Sequence, residues 1–215
     1  MKILLFMLFF LEISSLTFEG IDVSAWQESI NWSKVAKTKY FAILRAGTGN
    51  GNIDKYWETN YKNAKNAGVK VGAYWYSYAK STTDAQNEAK SFLKALSGKK
   101  LEWPVYYDIE EQSIFDAGIT NSIAKTFCDI MESNHYFCGI YSSTYTFNTY
   151  FNAEIKRRYT IWLAHWNVDK PSYGGAYALW QKKIGTCDGV NGDVDLDEGY
   201  TNFETIMKEN HLNGF

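Results

Sequence analysis

The sequence predicts an α/β fold, a modified TIM-like barrel of five strand–helix units followed by three further strands, (β/α)5(β)3. Three observations predict it. Apolar runs alternate with stretches of helical periodicity over most of the chain, the pattern of a parallel sheet joined by right-handed crossovers. The later part drops the intervening helices and leaves strand-like segments at 160–165, 178–182 and 194–196. Five strands and three make eight, enough to close a barrel. An open doubly wound sheet is the alternative, disfavoured because no glycine-rich phosphate turn follows the first strand.

Residues 1–17 read as a secretory signal: Met1-Lys2 is positive, 3–11 is an unbroken apolar run, and Ser14, Ser15 and Thr17 are small and polar. That run is too short to span a bilayer. One domain is expected over 18–215. A short strand at 20–24 ends in Asp22-Val23-Ser24, followed by Trp26-Gln27 and a short helix at 32–36. Residues 41–46 form a near-continuous apolar run, as in strands covered on both faces. Trp57, Tyr61, Ala64 and Ala67 then keep helical spacing, with Gly68 placed for a left-handed C-terminal cap. A third strand covers 69–78. Ser81 to Asp84 supplies N-cap candidates for a helix carrying Ala85, Ala89, Phe92, Leu93 and Leu96, and Gly98 stops it. The fourth strand covers 105–110. Thr120 is expected to cap a helix with Ile123, Phe127, Ile130 and Met131 on one face. The fifth strand covers 137–142, a short helical stretch follows at 144–151, and a last helix covers 203–209.

Composition narrows the function classes. Net charge is −2 and lysines are scattered, so neither the basic stripe of a nucleic-acid binder nor a polybasic membrane patch is present. No stable membrane association is expected, and the chain is expected to act as a monomer. Aromatic residues make up 17%, including 8 Trp and 16 Tyr, a surplus suited to flat apolar ligands such as sugar rings. Cys128, Cys138 and Cys187 make an odd count; a Cys128–Cys138 bridge and three reduced thiols are both open. Asn31-Trp32-Ser33 is one glycosylation sequon.

In such a barrel the active site lies at the C-terminal ends of the strands. Those ends offer Asp22, Arg45, Tyr76, Tyr78, Asp108, Glu110, Tyr141, His165, Trp166, Trp180 and Gln181, and then Asp193, Asp195 and Asp197 at strand spacing. On an extended strand Asp108 and Glu110 share one face while Ile109 points away. Paired carboxylates disfavour double ionisation, and a carboxyl kept protonated is what a general acid needs. Each acidic residue alone reads as a strand-end turn former; four converging on one mouth do not. Only three His are present and no Cys-x-x-Cys, so zinc is disfavoured and no metal or cofactor is expected. A carboxylate calcium or magnesium site at Asp193 to Asp197 is the competing arrangement. A carboxylate-lined, aromatic-walled cleft points to glycoside hydrolysis.

These motifs resemble the lysozymes of glycoside hydrolase family 25, the Chalaropsis-type muramidases. The resemblance rests on Gly20-Ile21-Asp22-Val23-Ser24 with Trp26-Gln27, Ala42-Ile43-Leu44-Arg45-Ala46, Ala67-Gly68-Val69-Lys70-Val71-Gly72-Ala73-Tyr74 and Pro104-Val105-Tyr106-Tyr107-Asp108-Ile109-Glu110. It continues through Gly139-Ile140-Tyr141-Ser142, Ile161-Trp162-Leu163-Ala164, Trp180-Gln181 and Gly192-Asp193-Val194-Asp195. It implies cleavage of the β-1,4 bond from N-acetylmuramic acid to N-acetylglucosamine in peptidoglycan glycan strands. Glu110 matches the general acid, Asp108 its partner carboxylate, and Asp22 and Asp195 the two others, with Asp193 the rival of Asp195. Tyr74, Tyr76, Tyr141, Trp162, Trp180 and Arg45 would line the sugar cleft. The 2-acetamido group supported by Asp108 is expected to act as nucleophile, with inversion by an activated water as the alternative. Glu110 would carry the proton and Asp108 stay charged. No wall-binding repeats follow the barrel, so affinity is expected from the cleft, and the mild acidity suits secretion or a phagosomal or lysosome-like vesicle. A sugar-binding protein without catalysis and a carboxylate–metal hydrolase are the competing classes.

Overall fold

The computed structural model describes residues 17–215, so the leader, apart from Thr17, lies outside the described residues. Nine strands form one sheet: β1 (Phe18–Val23), β2 (Phe41–Thr48), β3 (Asn52–Ile53), β4 (Lys70–Tyr76), β5 (Val105–Asp108), β6 (Cys138–Ser143), β7 (Thr160–Ala164), β8 (Leu179–Gly185) and β9 (Val194–Gly199). Their order is β1-β2-β4-β5-β6-β7-β8-β9, with β9 pairing back to β1 and closing an eight-stranded barrel. Neighbours from β1 through β8 are parallel, whereas β9 runs antiparallel to both β8 and β1. The small strand β3 forms a hairpin on β2, outside the ring.

Helices α1 (Trp32–Val35), α2 (Trp57–Asn66), α3 (Thr82–Leu96), α4 (Gln112–Asp116), α5 (Thr120–Ser133), α6 (Thr144–Thr149), α7 (Ala153–Arg158) and α8 (Phe203–Glu209) complete the fold. The chief crossovers are α2, α3 and α5, and each buries one stripe. In α3 the stripe is Ala85, Ala89, Phe92, Ala95 and Leu96, and in α5 it is Ile123, Ala124, Phe127, Cys128 and Met131. Ser81 caps α3, its hydroxyl accepting the Asp84 N–H at 3.1 Å. Gly68 ends α2 at φ +85°, which a residue with a Cβ adopts only with strain. At α5 the expectation shifts by one residue: Ile119 occupies the N-cap without a side-chain bond, and Thr120 is the first helical residue. β3, α4 and α7 were not legible; each spans six residues or fewer, too short for periodicity to register.

Two cores result. Outward-facing strand residues such as Val71, Ala73, Tyr107 and Ile140 pack under the helices. Inward-facing residues fill the barrel: Phe41, Ile43, Tyr74, Trp103, Tyr106, Tyr141, Trp162 and Leu179. At the bottom Phe41 and Trp103 stack with centroids 3.7 Å apart. Glycines on the closing strands make room for them. A Cβ on Gly20 would stand 2.2 Å from the Phe41 ring, and one on Gly199 would stand 2.3 Å from Trp103. Cys128 and Cys138 are buried neighbours with sulfurs 3.2 Å apart, a thiol–thiol contact well beyond a covalent bond. The disulfide left open by the sequence is therefore not formed.

Gly20→Ala should overpack this floor and cost about 1–3 kcal/mol. Urea unfolding would show a lower midpoint at unchanged slope. Gly174→Ala is the control, since a Cβ there meets nothing within 4 Å.

Candidate active site

The chain places four carboxyl groups at the C-terminal mouth of the barrel. Asp22 is the next-to-last residue of β1, and Asp195 lies opposite it on β9, in direct register. Asp108 ends β5. Glu110 lies two residues beyond that strand rather than on it. The intervening Ile109 fixes the turn: its N–H donates to the Tyr141 carbonyl at 3.1 Å, its carbonyl accepts the Ser142 hydroxyl at 2.6 Å, and its side chain is fully buried. Alternation thus continues past the hydrogen-bonded ladder, with Ile109 in the outer core. Asp193 is exposed in the loop before β9, where its carbonyl accepts the Gln27 amide at 3.4 Å. Of the two rivals, Asp195 is the one that faces Asp22.

Burial governs the charges. Asp22 and Asp108 are only 6% and 4% exposed. Burial pushes the Asp22 carboxyl well above the usual range and repulsion from Asp195 adds to it, while the Gln181 amide, donating to Oδ2 at 2.7 Å, opposes it. Asp108 rises well above its usual range through burial, then repulsion from Glu110 and Asp22, with Arg45 opposing. Its Oδ1 is buried and has no hydrogen-bond partner. Asp195 also rises through burial. Glu110 is exposed at the mouth, yet crowding by protein atoms raises its carboxyl, helped by Glu111 and Asp195. The Tyr76 hydroxyl acts in the other direction on Glu110, although its hydrogen bond, at 2.6 Å, is donated to Glu111 Oε1. Both carboxyls are thus shifted toward their protonated forms, Asp108 the more strongly, where the sequence expects Glu110 to carry the proton and Asp108 to stay charged. Desolvation of the strand-borne group is the reason.

The other expected cleft residues divide. Tyr76 is half-buried beside Glu111. Arg45 donates through Nε to Asp54 at 2.8 Å, and Asp54 also accepts the Ala25 and Tyr56 N–H groups. That anchoring makes Arg45 a fixed charge near Asp108. Tyr74, Tyr141 and Trp162 are at most 8% exposed, so their rings are covered and form the bed beneath the carboxylates. Trp180, in register with outward-facing Leu163 and next to inward-facing Gln181, points out of the barrel instead and donates its indole N–H to the His165 carbonyl at 2.9 Å. Strand-end aromatics that point inward fill the barrel before they can wall it. Rings that do stand open lie one step further, past the strand ends: Trp26 at 82% in a 3-10 turn, Tyr78 at 53% and Trp166 at 48% in loops, and Tyr145 at 69% on α6. Gln181 links the two layers. Its Oε1 accepts Tyr141 OH at 2.9 Å and Trp166 Nε1 at 2.8 Å, while its Nε2 holds Asp22. Among the described residues no group of three His, Cys, Asp or Glu is arranged to hold a metal ion.

Comparison with known proteins bears on family and fold. The profile of the family "Glycosyl hydrolases family 25" matches residues 21–184. The chain belongs to that family. Lysozyme M1 of Streptomyces globisporus is 30% identical over 196 residues, covering 84% of this chain and 67% of its own. The solved CTP1L endolysin superposes with a TM-score of 0.80 at 25% identity, over 89% of this chain and 70% of that one. The modular autolysin LytC of Streptococcus pneumoniae, solved with a synthetic peptidoglycan ligand, gives 0.74 at 27% identity, over 86% and 47%. Fold and family thus agree with the resemblance drawn from the motifs, and the chain is a glycoside hydrolase of the lysozyme type.

Opposite pH shifts should follow from the two neighbours of Glu110. With Glu110 as the general acid that the sequence expects, loss of its proton forms the alkaline limb of kcat/KM. Glu111→Gln removes repulsion and frees the Tyr76 hydroxyl for Glu110, moving that limb to lower pH. Tyr76→Phe removes a contact that favours ionised Glu110 and moves the limb up. A pH–rate series on both variants checks the signs.

Proposed function

We propose that this chain is a secreted muramidase that hydrolyses the β-1,4 bond from N-acetylmuramic acid to N-acetylglucosamine in bacterial peptidoglycan, with 1–17 as leader and 18–215 as the catalytic domain. One observation carries the reading: a buried carboxyl with an unpartnered oxygen, Asp108, stands two residues from an exposed carboxyl of raised pKa, Glu110. Glu110 protonates the glycosidic oxygen as the C1–O bond breaks. The carbonyl oxygen of the substrate's own 2-acetamido group attacks C1 from the opposite face. The acetamido N–H donates to Asp108, whose free oxygen lacks a donor until then. Water, deprotonated by Glu110, then opens the oxazolinium ring, restores the acetamido group and returns the acid to its starting state, with retention at C1.

Repulsion between the two carboxyls makes the first step cooperative. A donor arriving at Asp108 Oδ1 favours its ionised form, and the resulting negative charge holds the proton on Glu110, where it is used. Asp22 and Asp195 hold further negative charge opposite, toward the oxocarbenium-like transition state. Sugar faces would meet Trp26, Tyr78, Tyr145 and Trp166 at the rim rather than the covered rings below. With a net charge of −2 the protein gains no long-range attraction to an anionic wall, which suits an acidic vesicle or extracellular space.

Turbidity of a Gram-positive wall suspension tests the reading. Wild type should clear it with or without chelator, and Glu110→Gln should be at least about 100-fold slower. Equal clearing by Glu110→Gln, or loss with chelator, overturns the assignment. NMR of the first-formed anomer should show retention; an inverted product removes the acetamido route.

A further inference from the structure

Below the four carboxylates lies a fifth, Asp197, that the proposed reaction does not use. It sits on β9 two residues after Asp195, on the same inward face, in register with Gly20 of β1. Gly20 carries no side chain, and the apolar Phe41 ring occupies the space that a Cβ there would need. Asp197 is 3% exposed, more deeply covered than Asp22. Its Oδ1 accepts the indole N–H of Trp162 at 2.9 Å, whereas its Oδ2 is buried with no partner. The groups facing it are Asp22 from β1, Asp195 from β9, the Tyr106 phenol from β5 and the Trp162 indole from β7. None is a cation. Among the described residues neither Asp22 nor Asp197 forms an ion pair, and Arg45 is committed to Asp54.

Two carboxyl groups buried side by side without a cation cannot both be ionised at acceptable cost. One proton must remain between them. Hydrogen bonding decides which group keeps it. Asp22 already accepts the Gln181 amide at Oδ2, which favours its ionised form. Asp197 has one oxygen with no donor, the environment of a hydroxyl rather than a charged oxygen. We propose that Asp197 is a neutral carboxylic acid that donates its proton to Asp22, making it a positioning residue that holds Asp22 ionised and aimed into the cleft. Burial and repulsion from Asp22 both push Asp197 well above the usual carboxylate range, in the same sense. Asp22 is thereby held from two sides, by the Gln181 amide and by the Asp197 hydroxyl. The positioning role rests on the reading of Asp22 as a site carboxylate; the proton assignment does not.

Linkage reads the proton without reference to activity. Wild type binds a proton at Asp197 that the unfolded chain has released above about pH 5. A raised folded pKa gives stability that is full at low pH and lost as pH rises. Urea unfolding of wild type and Asp197→Asn from about pH 5.5 to 7.5 should therefore show the ratio of their unfolding constants, wild type over variant, growing about tenfold per pH unit. A constant ratio overturns the proposal. Activity on wall suspensions locates the proton and its use. Asp197→Ala should lose about tenfold or more in kcat, and Asp197→Asn, which keeps a neutral donor, should rescue it. If Asp22→Asn is the rescuing form while Asp197→Asn is inactive, the proton belongs to Asp22 and the assignment fails. If Asp197→Ala is fully active, the positioning role fails although the proton stands. Absence of wall clearing by wild type refutes the muramidase reading and leaves the linkage result intact.

Discussion

Seven strands run one way and the eighth runs against them, and the site depends on that reversal. A parallel strand delivers its last residues to the mouth of the barrel and its first residues to the floor. Because β9 enters from the mouth, its first residues lie there, and Asp195 and Asp197 descend beside β1 in step with Asp22 and Gly20. One more parallel crossover, in place of this reversal, would have put those acids at the bottom. The antiparallel closure also needs only the loop between β8 and β9, so no helix intrudes on that side of the opening.

Electrostatics set the second constraint. Negative charge is gathered here without a balancing cation at bonding distance, and the barrel interior offers little water to solvate it. The cost is met by protons held on carboxyl groups and by a few neutral donors, chiefly the Gln181 amide and the Trp162 indole. That arrangement has a chemical use. Groups that hold protons above their ordinary range are the ones able to give them up to a leaving oxygen, and the crowding that raises Glu110 acts on Asp22 in the same direction. Aromatic residues serve in two grades: covered rings such as Trp162 and Tyr141 support the polar layer, and open rings such as Trp26 and Trp166 face solvent around it.

Much of this was legible in the residues. The apolar runs at 41–46 and 105–107 and the long helical stripes located the parallel units, because period and length were unambiguous there. The order of acids on strand ends located the mouth. Burial was harder. Tyr74 and Trp162 look alike in sequence to residues that wall a cleft, and only closure of the ring shows that inward positions at that height are filled, while the outward turn of Trp180 depends on the register of β8. The loop position of Glu110 escaped notice because alternation persists one residue beyond the ladder. Asp197 was visible as a carboxylate at strand spacing, but its depth depends on the register with Gly20, which no local pattern reports. Gly20 and Gly199 carried a usable signal: glycine at inward strand positions marks a close approach by something large.

The stacked Phe41 and Trp103 close the lower end of the barrel. Substrate therefore has no passage along the barrel axis, and whatever enters by the mouth must also leave by it. Both pieces of a cut strand share one exit, so the loops around the mouth decide how soon the first of them clears the way for the next encounter.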